Sequence, residues 1–90
     1  MRQIEYSRTF KRDYRRMVKR GMRTIKLDTV LTFLVNDEPL PLRNHPHQLS
    51  GEWKGFWECH IEPDWLLIYD INNPEVLALH RTGTHSDLFE

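Results

Sequence analysis

The fold is decided by residues 53–81, WKGFWECHIEPDWLLIYDINNPEVLALHR, where the apolar residues fall into a period of two. Successive side chains alternate across a pleated backbone, so Trp53, Gly55, Trp57, Cys59 and Ile61 are expected on one face of a strand. Lys54, Phe56, Glu58, His60 and Glu62 take the other. Pro63 supplies a turn. Residues 65–71 are almost wholly apolar, the pattern of a central strand covered on both faces, and Asn72, Asn73 and Pro74 make the next turn. Residues 76–81 return as a third strand. Three strands in close succession read as an antiparallel meander, with residues 47–49 as a further edge strand.

Upstream the period becomes helical. Arg2 to Tyr6 alternates weakly and predicts a short strand, followed by Ser7 as a helix cap. Phe10, Tyr14, Met17 and Val18 recur at helical spacing, while Arg12, Arg15, Arg16, Lys19 and Arg20 occupy the other positions. Gly21 suits the C-terminus of that helix. Met22, Ile25, Val30, Phe33 and Leu34 describe a second apolar stripe, ended by Asp37, Pro39 and Pro41. The expectation is an α+β domain in which two N-terminal helices pack on a small, mostly antiparallel sheet.

Ninety residues fit one domain spanning 1–90, whose small core hides roughly 60 to 65% of the extended-chain surface. Hydrophobic content of 39% and a mean hydropathy of −0.66 fit a soluble protein, and no apolar run approaches the roughly 18 residues of a membrane span. The N-terminus lacks the apolar stretch of a secretory signal, and Cys59 is the sole cysteine, which points to the cytoplasm. The zero net charge conceals an asymmetry: residues 1–26 carry ten Lys/Arg against Glu5 and Asp13, and the remainder carries three against eleven acids. A basic helical face can meet a polyanion, although a solvated helix looks the same in sequence.

Within the second half stand His47, Lys54, His60, Asp64, Arg81 and His85. Two histidines, a carboxylate and an arginine suffice to cut RNA without a metal: one imidazole takes the 2'-hydroxyl proton, another protonates the 5'-oxygen, and the guanidinium holds the phosphate. A metal site is the rival reading of five histidines and one cysteine. Spacing argues against it, because adjacent Cys59 and His60 point to opposite faces of a strand and no cysteine pair exists.

Three ordered blocks carry a resemblance: HQLSGEWKG at 47–55, HIEPDWLLIY at 60–69 and RTGTHSDLF at 81–89. Together they resemble the YafQ-type toxins of the RelE/ParE superfamily, ribosome-dependent mRNA endonucleases of bacterial type II toxin–antitoxin pairs. The resemblance implies the RelE-like fold, two helices on a twisted sheet, and an active site at His47, His60, Asp64, Trp65, Arg81, His85 and Phe89. His45 lies two residues before His47, and the spacing to Gly51 and Trp53 selects His47. It also implies a DinJ-like antitoxin as partner and mRNA on the ribosome as substrate. Relatives that poison gyrase instead are the non-catalytic alternative, and the full acid–base set argues against them.

On this reading His85 is the general acid and Arg81 the phosphate ligand. The base is His47, His60 or Asp64, with His47 favoured and the other two in support. Trp65 and Phe89 are offered as base contacts, with Trp53 and Trp57 as core. Lys54 stands evenly between phosphate contact and solvated residue. Arg12, Arg15, Arg16, Lys19, Arg20 and Arg23 are the candidates for docking on ribosomal RNA, a face that could instead receive an acidic antitoxin segment. No cofactor or metal is expected.

Overall fold

In the computed structural model, which describes residues 1–89, the chain runs β1 (Gln3–Tyr6), α1 (Arg8–Lys19), α2 (Thr24–Val35), β2 (His47–Gln48), β3 (Trp57–Glu62), β4 (Trp65–Asp70), β5 (Val76–Gly83) and α3 (His85–Phe89). Single 3-10 turns at Leu42–Asn44 and Gly51–Trp53 flank β2. The five strands form one sheet in the order β1-β5-β4-β3-β2. Only β1 pairs in parallel, with β5; the other pairs are antiparallel, as the meander predicts.

Ser7 starts α1 as expected. Its hydroxyl accepts from the Phe10 amide at 2.8 Å and donates to the His80 carbonyl at 2.7 Å, so the cap also stitches the helix to β5. Gly21, at φ +85°, provides the left-handed turn into α2.

The helices cover one face of the sheet. Phe10, Met17, Leu27, Val30 and Leu34 pack on Cys59, Ile61, Trp65, Leu67, Tyr69, Leu77 and Leu79. The stripe on α2 therefore runs through Leu27 rather than Ile25, which is 60% exposed, and Val18 also points outward. Burial raises the Cys59 thiol to about 12, so it is an inert core residue. The opposite face carries a smaller cluster, Leu66, Ile68 and Leu88 with Leu49, Trp53 and Phe56 against it.

The strand expected from residue 53 begins at Trp57. Gly51 and Gly55 adopt φ of +65° and +96°, which breaks the ladder and carries the chain through a turn. Trp53 consequently packs on the face away from the helices, and Lys54 is an exposed turn residue rather than a strand residue. From Trp57 onward the alternation holds: Trp57, Cys59 and Ile61 lie under the helices.

Candidate active site

The hairpin between β3 and β4 turns at Pro63 and Asp64, and the register sets Leu66 opposite Gly83. That register brings Asp64 to the start of α3. One Asp64 oxygen, Oδ1, accepts from the His85 backbone amide at 2.9 Å and meets His85 Nδ1 at 2.5 Å. These two contacts, the amide first, hold the Asp64 carboxyl below its usual range. These contacts outweigh desolvation, so Asp64 lacks the raised pKa that would suit it to the role of base. In the tautomer this contact requires, Nδ1 donates to Asp64 and Nε2 of the half-exposed His85 ring is left for another partner.

His60 lies beside it, on β3, with ring centroids 5.8 Å apart, and His45 stands 5.4 Å away on the other side. Partial burial, helped by the surrounding histidines, lowers the His60 pKa against the opposing pull of Glu58. Among the described residues its ring nitrogens make no hydrogen bond; the Glu58 carboxylate is 3.9 Å from Nε2. His47 differs. Its Nδ1 meets the His45 carbonyl at 2.9 Å and its Nε2 meets Glu58 at 3.3 Å, so both nitrogens already face oxygen acceptors.

Glu58 is one residue that sequence reasoning missed. It is a buried carboxylate between two histidines, and the cross-strand pairing of His47 with Glu58 places it there. The signal was present in the alternation, which already set Glu58 and His60 on one face.

Arg81 sits at the irregularity of the β4–β5 ladder, opposite Ile68. Its Nε and Nη2 donate to Asp13 at 2.6 and 3.2 Å, and Asp13, only 1% exposed, also accepts from the Thr82 amide at 3.3 Å. The Asp13 hydrogen bonds raise the guanidinium pKa further. Among the described residues Nη1 has no partner, and that edge of the guanidinium is left for a ligand. Asp13 is a second missed residue: in sequence it is one acid among the cations of α1, and its burial stems from a tertiary contact.

Trp65 does not flank the site. It has no exposed surface, lies in the helix-side core and donates through Nε1 to the Thr82 hydroxyl at 2.8 Å, so it cannot stack on a base. Phe89 is 45% exposed, and Trp53 supports it edge-on with ring centroids 6.1 Å apart. Arg12, Arg15, Lys19 and Arg23 are exposed and unpaired among the described residues, whereas Arg16 and Arg20 are committed to Asp87. Lys54 is exposed with no ion-pair partner among the described residues. A crevice of about 940 Å³ opens beside His45, His47 and His60 and extends to Lys26, Phe33 and Arg43. No three His, Cys, Asp or Glu side chains among the described residues are arranged to hold a metal ion.

Residues 2–90 match the family described as the bacterial toxin of the type II toxin–antitoxin system, YafQ. The mRNA interferase toxin YafQ of Escherichia coli strain K12 is 43% identical over 89 residues, covering 98% of this chain and 96% of that one. A copper-bound mutant toxin from Helicobacter pylori superposes with a TM-score of 0.94 at 36% identity, over 99% of this chain and 100% of the other. The toxin in the Escherichia coli DinJ–YafQ complex gives 0.90 at 42% identity over the whole of both chains.

Proposed function

The chain belongs to the YafQ family of bacterial type II toxin–antitoxin toxins, and on that premise we propose that it is a ribosome-dependent mRNA endoribonuclease that stops translation by acid–base cleavage. The observation that carries this reading is the His60–His85 pair: two rings 5.8 Å apart, one fixed by Asp64 and the other with no hydrogen bond to its nitrogens among the described residues.

His60 is the base. Burial keeps it neutral near neutral pH, so it can accept the 2'-hydroxyl proton. The freed oxygen attacks the adjacent phosphorus, the bond to the 5'-oxygen breaks, and Nε2 of His85 gives that oxygen its proton. The products are a 2',3'-cyclic phosphate and a 5'-hydroxyl, and DNA is not a substrate. Glu58, near both His60 and His47, offsets the charge His60 acquires. Sequence reasoning favoured His47 as base; its two engaged nitrogens fit a supporting role better. Arg81 offers Nη1 to the phosphate whose charge rises in the transition state. Phe89, backed by Trp53, stacks on a splayed base, and the crevice beside His47 takes a nucleotide adjoining the cut. Arg12, Arg15, Lys19 and Arg23 dock on ribosomal RNA. A DinJ-like antitoxin silences the toxin, as a DinJ–YafQ complex exists for the Escherichia coli relative.

The test is a translating extract containing EDTA, with cleavage mapped by primer extension for wild type, His85→Gln, His60→Gln and His47→Gln, and on ribosome-free RNA. Expected are codon-phased cuts that need ribosomes and fall by about 10²- to 10⁴-fold in the first two variants, and less in His47→Gln. Folded wild type that cuts nothing overturns the nuclease reading in favour of a binding-only toxin; loss of cutting with EDTA overturns the metal-independent mechanism.

A further inference from the structure

Helix α3 has five residues, too few to hold itself in water, yet its first residue is His85. Asp64 fixes the ring from one side. From the other, Asp87 and Thr84 close a reciprocal cap: Oδ2 of Asp87 accepts from the Thr84 amide at 2.9 Å, and the Asp87 amide donates to the Thr84 hydroxyl at 3.1 Å. Its two carboxylate oxygens are then taken by α1. Arg20 donates from Nη1 to Oδ2 at 2.6 Å and from Nη2 to Oδ1 at 3.1 Å, and Arg16 Nη1 reaches Oδ1 at 3.3 Å.

Three further observations show that this arrangement is built rather than incidental. The Asp87 side chain is only 12% exposed, although both arginines are largely at the surface. Gly83 leaves it room: a Cβ there would meet the Asp87 Cβ at 2.9 Å and Oδ2 at 3.0 Å, at a φ of +157°. Along α1 and its C-cap, Asp13, Arg16 and Arg20 follow one another at helical spacing on a single side. Asp13 grips Arg81, and the two arginines grip Asp87, so one helix face holds both flanks of the segment from Arg81 to Phe89.

We infer that Asp87, clasped by Arg20 and Arg16, is a positioning residue for His85, and that these two arginines serve the acid step rather than docking. This rests on the assignment of His85 as general acid. Exposed ion pairs taken singly contribute little; here a bidentate guanidinium and a cap share one carboxylate, and its effect is on where the imidazole stands.

The prediction separates the clasp from docking by a cycle of variants. Asp87→Asn, the pair Arg16→Ala with Arg20→Ala, and the combined triple variant are compared with wild type for kcat and KM of cleavage on programmed ribosomes. Folding is verified by circular dichroism. A misplacement of about 1 Å is enough for a loss of up to ~100-fold. The expected result is a fall in kcat of that order in Asp87→Asn with KM little changed, and no further fall when the arginines are also removed. Gly83→Ala should reproduce the loss. Docking arginines would instead raise KM, and their effect would multiply with that of Asp87→Asn.

A second readout does not depend on cutting. In the NMR spectrum of wild type, the His85 Hδ1 proton, held between Nδ1 and Asp64, should give a resolved downfield resonance. It should broaden or vanish in Asp87→Asn while the signals of His60 and His80 stay. An unchanged His85 resonance, or multiplying effects in the cycle, overturns the inference. Wild type that fails to cut while the resonance responds to Asp87→Asn leaves the clasp standing and sinks the nuclease reading instead.

Discussion

Replacing Arg81 by alanine should damage the fold as well as the chemistry, and the structure sets the size of the effect. Asp13 is 1% exposed and accepts from Arg81 Nε, Arg81 Nη2 and the Thr82 amide. Arg81→Ala removes the first two donors and leaves a carboxylate in the core with one long contact. Breaking a buried pair in this way costs about 3 to 5 kcal/mol, and the 23% exposure of the Arg81 side chain places this case toward the lower end. For a domain of this length, a loss of ~3 kcal/mol lowers Tm by about 12 to 24 °C. Removing both partners should cost far less, because no orphan charge remains. The double variant Asp13→Leu with Arg81→Met should therefore regain most of the lost stability and none of the cleavage. Urea unfolding at pH 7.5, followed by tryptophan fluorescence, gives the stabilities, and cleavage on programmed ribosomes gives the activity. A loss below ~1 kcal/mol in Arg81→Ala, or a double variant no more stable than the single, refutes the claim that Asp13 depends on Arg81.

Trp65→Ala should lose about 3 to 5 kcal/mol, because this fully buried indole also gives up its bond to Thr82, whereas Phe89→Ala should lower cleavage with a thermal midpoint nearly unchanged. Burial lowers the pKa of both His60 and His80. The unfolded chain therefore binds their protons first: stability is full above about pH 6.5, falls as pH drops through that value toward the lowered native values, and then levels. Urea midpoints at pH 7.5 and 5.5 should show the fall, His80→Phe should flatten part of it, and a higher midpoint at pH 5.5 would count against the assignment. Asp87 behaves in the opposite sense, its carboxyl held down first by Arg20; its contribution is present above about pH 3.8 and lost below, which a second acid transition absent from Asp87→Asn would reveal. Alanine at Arg12, Arg15, Lys19 and Arg23 together should reduce the salt dependence of ribosome binding by a log–log slope of about 3; an unchanged slope removes this face from docking.

Legibility of the sequence followed the range of the forces involved. The meander, the two helices and the Ser7 cap depend on residues close in the chain, and period and cap chemistry displayed them. The alternation puts Trp53 on the wrong face because it runs back through Gly55, whose positive φ interrupts a strand without changing its hydrophobic pattern. The resemblance and its place beside the site make Trp65 a base contact, but as the first residue of β4 it turns into the helix-side core. Asp13 and Asp87 were illegible as partners because each meets its arginine through helix packing, which composition does not encode, whereas alternation alone sets Glu58 on the face of His60.

Those partnerships also answer a difficulty posed by the charge distribution. The second part of the chain is strongly acidic, and a phosphate backbone should avoid it. Yet several carboxylates around the site are already held: Glu58 against His47, Asp64 against His85, Asp87 against Arg16 and Arg20, and Asp13 against Arg81. The arginines offset the charges of Asp87 and Asp13, so these acids repel an incoming phosphate less than their number suggests. On the proposed docking, the exposed cations Arg12, Arg15, Lys19 and Arg23 add attraction to that of Arg81, so binding and cutting should separate when the two groups of residues are mutated.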